Sequence, residues 1–253
     1  MRVPEAPSNL NHTLSHPKSV KNRICSPRNT LITTALSLII GSTVLAAETG
    51  PFAVSKNIVI SSLPYTVSAP GTYVLNGDLT LPAPQGAGVA AINILTTLSG
   101  PVVLDLRGHT IVGSGGANQN FGVSIEGSPN PTENKYPITI KNGTIQNFEV
   151  GVDAEQGNLA STKKITVTNV NFSTVTYGYP TYGVDFLQVS DSNVSNCSFT
   201  GIAYGISDIA TGGNNRYLNN SFTNTGGMQI GTAGTGGRFP TFVIDCEISA
   251  PVQ

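Results

Sequence analysis

The sequence has little charge, no tryptophan and no helical periodicity. Of its 253 residues, 11% are charged and none is Trp. After residue 50, no long segment repeats its apolar residues every 3.6 positions, which argues against amphipathic helices. The chain instead holds 28 Gly and 16 Pro among runs of Val, Ile, Thr, Ser and Asn, a composition typical of strands and turns. The sequence therefore predicts an all-β protein with a single folded domain.

The first 47 residues differ from the rest of the chain. Basic residues precede the apolar run 31–40, and small residues follow it as far as Ala46 and Ala47, as they do at the cleavage site of a secretory signal peptide. We predict that residues 1–47 are a leader and signal peptide and that residues 48–253 form the domain. The protein would then be secreted, or would lie at the cell surface or in the periplasm. A retained membrane anchor is the alternative interpretation.

The chain beyond residue 47 is poor in basic residues. It keeps eight of the 13 Lys and Arg and 13 of the 14 Asp and Glu, so its net charge is 8 − 13 = −5. Because it has no basic patch, we predict no nucleic-acid partner. Cysteine is also scarce, since only Cys197 and Cys246 remain after Cys25 is removed with the leader.

Six similar segments repeat along the domain. Their ends lie 34, 27, 27, 23 and 26 residues apart, and a period of this size in an all-β chain predicts stacked coils. Their third and eighth positions are nearly all apolar, which predicts columns that point into a core. The segments are LDLRGHTI (104–111), ITIKNGTI (138–145), ITVTNVNF (165–172), SNVSNCSF (192–199), NRYLNNSF (215–222) and TFVIDCEI (241–248).

The fifth position of these segments predicts a sharp corner. Its residues are types that accept a left-handed backbone, namely Gly108, Asn142, Asn169, Asn196, Asn219 and Asp245. An Asn-Gly pair between apolar alternations usually indicates a β-hairpin. Gly follows Asn in the second segment alone, so a hairpin cannot be the structure that the segments share. We predict a corner between two strands of one coil, with Asn side chains stacked from coil to coil.

A second repeat, led by Gly, precedes each corner. It is visible in FGVSIEG (121–127), VGVDAEQG (150–157), YGVDFLQ (182–188) and YGISDIA (204–210). Each coil then has a Gly-led strand, a loop and a corner strand pair, which is the layout of a parallel β-helix. Cys197 and Cys246 would lie two coils apart, about 9.6 Å, which exceeds the limit of about 7 Å for a disulfide. We predict two free, buried thiols.

The sequence resembles a known superfamily in these repeats. VVLDLRGHTIVGSG (102–115), the IKNGTI corner and the Gly-Val strand starts are similar to right-handed parallel β-helix proteins of the pectin-lyase-like superfamily. The resemblance implies an all-β, right-handed parallel β-helix, to which we assign about six to seven coils. Known enzymes of this superfamily are mostly polysaccharide lyases, hydrolases and epimerases, which act on the outward face of stacked strands.

The Gly-led strands supply the candidate catalytic residues. Two positions after the Gly, an outward column would read Ser124, Asp153, Asp185, Ser207 and Gln229. Asp153 and Asp185 would be about 4.8 Å apart, close to the spacing of a retaining glycosidase pair. With Glu155 they would also suit Ca²⁺, which takes oxygen ligands. A catalytic pair, a Ca²⁺ site and a solvated acidic face all remain open.

Aromatic and basic residues supply the candidate substrate contacts. Tyr177 and Tyr179 precede Asp185 and could stack on sugar rings. On the corner strands, Lys141 would stack on Arg107, and a lyase needs cations of this kind to stabilise negative charge. A surface ladder of both residues with Asp105 is the alternative.

Three hypotheses about function follow from these patterns. The leading one is an exported module that binds extracellular or cell-envelope polysaccharide and, if it is an enzyme, cleaves it as a lyase or glycoside hydrolase. The second is a non-catalytic surface or adhesion scaffold, and the third is a truncated enzyme. The last coil is followed by only a few residues and has no polar cap, so we predict that another chain or a further domain covers it.

Overall fold

The computed structural model describes residues 57–83, 88–95, 98–114, 120–126, 136–155, 162–174, 181–210, 213–232 and 242–249. All of them belong to one compact unit, Pro51–Gln253. The predicted leader, residues 1–47, lies outside the described residues. Within these ranges every regular element is a strand. No helix in the described part of the chain is long and apolar enough to cross a membrane.

The strands form two large sheets and one small one. The 13-stranded sheet contains β1 (Ile58–Ile60), β3 (Gly71–Leu75), β4 (Leu79–Thr80), β6 (Val102–Asp105), β7 (Thr110–Val112), β9 (Ile138–Gln146), β12 (Ile165–Ser173), β15 (Asn193–Ser195), β16 (Ser198–Thr200), β18 (Arg216–Leu218), β19 (Ser221–Thr223), β21 (Phe242–Ile244) and β22 (Glu247–Ser249). The seven-stranded sheet contains β2 (Tyr65–Val67), β5 (Ala90–Ile94), β8 (Phe121–Ile125), β10 (Val150–Glu155), β13 (Tyr182–Leu187), β17 (Tyr204–Ala210) and β20 (Met228–Thr232). The small sheet pairs β11 (Thr162–Lys163) with β14 (Val189–Ser190).

Every pairing in the two large sheets is parallel. In the seven-stranded sheet the order is β2, β5, β8, β10, β13, β17 and β20, so each strand pairs with the equivalent strand of the next repeat. ITIKNGTI lies within the single strand β9, which pairs with β12 in parallel over eight residue pairs. The all-β prediction and the rejection of a hairpin are confirmed. Long parallel sheets of this kind are compatible with a parallel β-helix.

The predicted corners adopt the left-handed backbone conformation. Asn142, Asn169, Asn196 and Asn219 have φ values of 59°, 54°, 53° and 53°, and Asp245 has 51°. Amide side chains connect some of the repeats at this corner. The Asn169 Nδ2 donates to Asn142 Oδ1 at 3.3 Å, and Asn219 Nδ2 donates to Asn196 Oδ1 at the same distance. These bonds support the prediction that the corner Asn side chains stack.

Aromatic rings stack in register inside the core. Phe172 and Phe199 lie with ring centroids 5.0 Å apart, and Phe199 and Phe222 with centroids 4.9 Å apart, at interplanar angles of 3° and 8°. These are eighth-position residues, so the predicted inward column is present. All three rings are at most 1% exposed. Each ring therefore packs between neighbours from the adjacent repeats, as in a close-packed interior.

The first repeat departs from the predicted alignment. Asp105 pairs with Lys141 before the corner, whereas Thr110 pairs with Thr144 after it, so this repeat has two additional residues at its corner. Arg107 and Gly108 both have positive φ, 52° and 82°, and together make a wider turn than a single Asn. The prediction that Lys141 stacks on Arg107 is therefore wrong.

Both remaining cysteines are free, as predicted. Cys197 is buried, and burial raises the pKa of its thiol to about 12. Its Sγ lies 3.3 Å from the carbonyl oxygen of Ser195. Cys246 is only partly buried, because it belongs to the last described repeat and no described repeat follows it. The prediction of two buried thiols therefore holds for Cys197 alone.

Candidate functional site

The seven-stranded sheet aligns six polar residues into one column. Asn93 pairs with Ser124, and Ser124 with Asp153. Asp153 pairs with Asp185, Asp185 with Ser207, and Ser207 with Gln229. We call this set the polar column: Asn93, Ser124, Asp153, Asp185, Ser207 and Gln229. The register that the sequence predicted for these strands is therefore present, and Asp153 and Asp185 lie on neighbouring strands.

The exposure of the polar column varies along its length. Asp153 and Asp185 are partly buried, and Gln229 is exposed. Ser207 is 0% exposed, so this position of the predicted outward column is covered. Its Oγ has no hydrogen-bond partner among the described residues. The alternation of a strand gives the direction of a side chain but cannot reveal what packs over it.

A column of glycines places these strands close to the core. A Cβ on Gly151 would lie 2.5 Å from the Gly183 carbonyl oxygen and 2.5 Å from Phe172 Cδ1. The same contacts recur at Gly183 with Gly205 and Phe199. The lack of a side chain lets the strands led by Gly151 and Gly183 begin directly against the edge of the Phe stack. Asp153 and Asp185 follow these glycines by two residues, so their positions are set by this contact.

Two tyrosines stack at the start of the same strands. The rings of Tyr182 and Tyr204 have centroids 5.3 Å apart and an interplanar angle of 17°. Both side chains are partly exposed. Burial raises the pKa of Tyr182, and the charges of Asp185 and Glu149 raise it further. The Tyr182 phenol therefore lies within electrostatic range of both carboxylates.

Glu149 is a residue of this site that the sequence analysis missed. It lies just before β10, and its carbonyl oxygen accepts a hydrogen bond from the Tyr182 amide at 2.8 Å. Its side chain is half-buried, and burial raises the pKa of its carboxyl. The sequence did contain a signal, since an acidic residue directly precedes the Gly-led strand of VGVDAEQG. An alignment that begins at the Gly leaves this position out.

Arg107 and Lys141 lie on the other large sheet. Lys141 Nζ is 3.4 Å from Asp105 Oδ2. Burial tends to raise the pKa of Asp105, but hydrogen bonds from the Arg107 amide and from Asn142 Nδ2, together with the charge of Lys141, lower it overall. His109 Nδ1 lies 3.6 Å from Asp78 Oδ1 at the same turn. Asp105 and Lys141 thus form an ion pair at the corner, on a different sheet from Asp153 and Asp185.

Several predicted site residues cannot be placed. Tyr177 and Tyr179 lie outside the described residues, and of Glu155 only the backbone, at the end of β10, is described. Among the residues that are described, no group of three or more His, Cys, Asp or Glu could hold a metal ion. Asp153 and Asp185 remain the candidate ligands, and Ca²⁺ needs six to eight oxygens. The Ca²⁺ site stays a prediction.

A buried carboxylate inside the sheets is a second feature that the sequence analysis missed. Asp208 pairs with Phe186 and is 1% exposed. Its Oδ2 accepts hydrogen bonds from the Tyr217 hydroxyl at 2.6 Å and from Asn215 Nδ2 at 3.0 Å, whereas Oδ1 has no partner in the described part of the chain. Burial raises the pKa of Asp208 by more than these bonds lower it. Burial also raises the pKa of Tyr217, so the phenol keeps its proton and donates.

We expect Asp208→Asn to flatten the pH dependence of stability. A raised pKa means that the folded state holds this proton more tightly than the unfolded state. This tighter proton binding stabilises the folded protein fully below about pH 4, near the unfolded pKa of Asp. The stabilisation is lost as the pH rises through the folded pKa. Asparagine keeps an acceptor for Tyr217 without a charge, so the variant should gain on the order of 1 kcal/mol at neutral pH. At acidic pH the variant should be no more stable than the parent.

Urea unfolding at several pH values measures this effect. Asp191→Asn is the matched control, since Asp191 is exposed and accepts a hydrogen bond from Asn214 Nδ2 at 2.7 Å. As a substitution at the surface, the control should stay within about 0.5 kcal/mol of the parent. A parent and an Asp208→Asn variant with the same pH profile would show that Asp208 does not titrate differently in the folded state.

Comparison with known proteins gives no family to which the chain can be assigned. No protein-family model, no curated protein and no solved structure matches it.

Proposed function

We propose that the chain is an exported right-handed parallel β-helix of the pectin-lyase-like kind, with about six to seven coils, that binds and hydrolyses an extracellular polysaccharide. The site is the outer face of the seven-stranded sheet. The observation that carries the proposal is the register that aligns Asp153 with Asp185 on neighbouring strands, beside the stacked rings of Tyr182 and Tyr204. Paired carboxylates next to aromatic faces are typical of sites that hold and cleave sugars.

Hydrolysis fits this face better than β-elimination. A lyase needs cations to stabilise the charge that develops on a uronate, and none of the described residues in the seven strands is Lys, Arg or His. Neighbouring parallel strands are about 4.8 Å apart, and the carboxyl groups of retaining glycosidases are about 5 to 5.5 Å apart. Arg107 and Lys141 remain candidate substrate contacts, on the other large sheet.

The reaction proceeds by two displacements in this proposal. One carboxyl group of the pair gives its proton to the glycosidic oxygen as the bond to the anomeric carbon breaks, and the other carboxylate forms an ester with that carbon. Water then attacks the ester and gives its proton to the first carboxylate. Both carboxyl groups return to their starting states. Because the two carboxyl groups have different roles, the two single variants should differ in the step that they impair.

The test measures reducing-end release from a panel of neutral, uronic and amino polysaccharides, with Ca²⁺ and with a chelator. We expect Asp153→Asn/Asp185→Asn to lose about a hundredfold or more in kcat/KM, as removal of general acid catalysis does. Asp191→Asn is the folded, isosteric control and should keep its activity. Full activity in the double variant would overturn the assignment of the site. Absence of both turnover and glycan binding would favour the non-catalytic scaffold.

A further inference from the structure

We propose that an outer face of the 13-stranded sheet binds ice and slows the growth of ice crystals. This inference goes beyond the proposed function, whose site lies on the seven-stranded sheet. The face is formed by five aligned tripeptides that follow the corner, TIV (110–112), TIQ (144–146), NFS (171–173), SFT (198–200) and SFT (221–223). We call the first and last residues of these tripeptides, ten in all, the neutral grid.

Strand register makes the neutral grid regular in two directions. Thr144 pairs with Asn171, and Asn171 pairs with Ser198. The last residues of the same tripeptides pair in the same order. Rows therefore repeat about every 4.8 Å, and the two columns lie about 6.7 Å apart. Every member of the grid is at least partly exposed, so the whole set is accessible from solvent.

The core beneath the neutral grid holds it nearly flat. The middle residue of each tripeptide is at most 2% exposed, so the first and last residues point outward. The stacked rings of Phe172, Phe199 and Phe222 have interplanar angles of only 3° and 8°, whereas adjacent strands of most sheets rotate by about 20 to 25°. Little twist therefore accumulates across these three repeats. On the outer side, Ser198 Oγ donates to Asn171 Oδ1 at 2.7 Å, which fixes two neighbouring members of the grid.

The chemistry of the neutral grid suits a lattice of water. None of its residues is charged, and all except Val112 carry a hydroxyl or amide group that can both donate and accept hydrogen bonds. Each water in ice likewise donates and accepts in a fixed, repeating pattern and carries no net charge. The row spacing of about 4.8 Å is close to the repeat of equivalent waters in ice. A flat, rigid grid can therefore contact many waters of one ice plane together, and the weak contacts reinforce each other.

A polysaccharide is the other regular ligand that could bind here, and the neutral grid suits it less well. Sugar rings bind to exposed aromatic faces, and no member of the grid is aromatic. The stacked rings of Tyr182 and Tyr204 lie on the seven-stranded sheet instead. A glycan chain also repeats in one direction, whereas the grid repeats in two. These differences favour ice as the ligand of this face.

The experiment follows the growth of single ice crystals in a solution of the folded protein. It records the temperature gap between melting and growth, together with the fraction of fluorescently labelled protein that a growing crystal incorporates. We expect the parent to open such a gap and to enter the ice. Suspended cellulose and chitin particles test the polysaccharide alternative. Substitutions in the neutral grid should leave any binding to these particles unchanged.

Two variants of the neutral grid and one matched control complete the test. Thr200→Lys puts a strongly hydrated charge in the middle of the grid. We expect the same temperature gap to need at least about tenfold more of this variant, the effect of about 1.4 kcal/mol. Gln146→Lys exchanges one long side chain for another and gives a second measurement of the same loss, which also serves if Thr200→Lys does not fold. Thr66→Lys, at an exposed position of β2 in the seven-stranded sheet, should match the parent.

Several results would overturn the inference. They are a parent that neither opens a gap nor enters the ice, folded grid variants that act on ice as well as the parent, and a control that loses as much as they do. Weaker binding of the grid variants to cellulose or chitin would assign the face to polysaccharide and would also overturn it. Urea unfolding shows whether each variant is folded. None of these results bears on Asp153 and Asp185, so the proposed hydrolysis is tested separately.

Discussion

Replacing Gly183 with alanine is expected to destabilise the protein by about 3 kcal/mol or more. The new Cβ would lie 2.4 Å from Phe199 Cδ1 and 2.5 Å from the Gly205 carbonyl oxygen. The phenylalanine ring has little room to move, because rings from the adjacent repeats lie 5.0 and 4.9 Å away. The backbone oxygen belongs to a paired strand and is held by its own ladder. Relief of the contact therefore requires two strands to separate.

Gly231→Ala provides the matched control for this prediction. Gly231 lies in β20 of the same sheet, and a Cβ there would meet no atom within 4 Å. We expect the control to unfold within about 0.5 kcal/mol of the parent. Urea denaturation of the three proteins measures the difference. A Gly183→Ala variant as stable as the Gly231→Ala control would show that the strands are not packed as closely as described.

Replacing Phe199 with alanine is expected to cost about 3 to 5 kcal/mol. Its ring is 0% exposed and is the middle member of the three-ring stack. Truncation would remove contacts with Phe172 and Phe222 together and leave a cavity between repeats. The same ring supports the Gly183 backbone, so the cavity should also loosen the start of β13 and the aspartate that follows.

Two further variants keep the second prediction testable if the alanine variant fails to fold. Phe199→Leu retains most of the side-chain volume and should lose less stability than the alanine variant. Thr200→Ala alters the exposed neighbour of the ring and should change stability by about 0.5 kcal/mol or less. The urea concentration at the midpoint of unfolding ranks the variants by stability. Equal losses in Phe199→Leu and Thr200→Ala would argue against a stack that stabilises the core.

The corners could be predicted from sequence because their cause is local. Asn and Gly are the residues that accept a positive φ, so their recurrence at one position of the repeat is enough to indicate the corner. The inward Phe column was visible for a similar reason, since a strand alternates its faces with a period of two. The register of Asp153 with Asp185 followed from the Gly that recurs at the start of their strands. None of these inferences needed knowledge of distant contacts.

Other features depended on contacts that a linear pattern does not contain. The wider turn at Arg107 and Gly108 adds two residues without changing the appearance of the segment, so Lys141 was assigned the wrong neighbour. The burial of Ser207 depends on atoms that pack over it, not on its place in the strand. Asp208 occupies an inward position that an apolar residue would normally fill, because Tyr217 of β18 and Asn215, just before that strand, supply its hydrogen bonds.

The difference in residue number between paired residues shows where the repeats vary in length. Ile165 follows its partner Ile138 by 27 residues, and Phe172 follows Ile145 by the same number. Between the repeats that contain Asn193 and Arg216 the offset is 23 on both sides of the corner, as in Asn193 with Arg216 and Ser198 with Ser221. Among these repeats, differences in length therefore fall outside the paired strands and their corners. A lineage can lengthen, shorten or duplicate the connecting segments while the paired segments remain interchangeable, so the face of the protein can diversify without redesign of its interior.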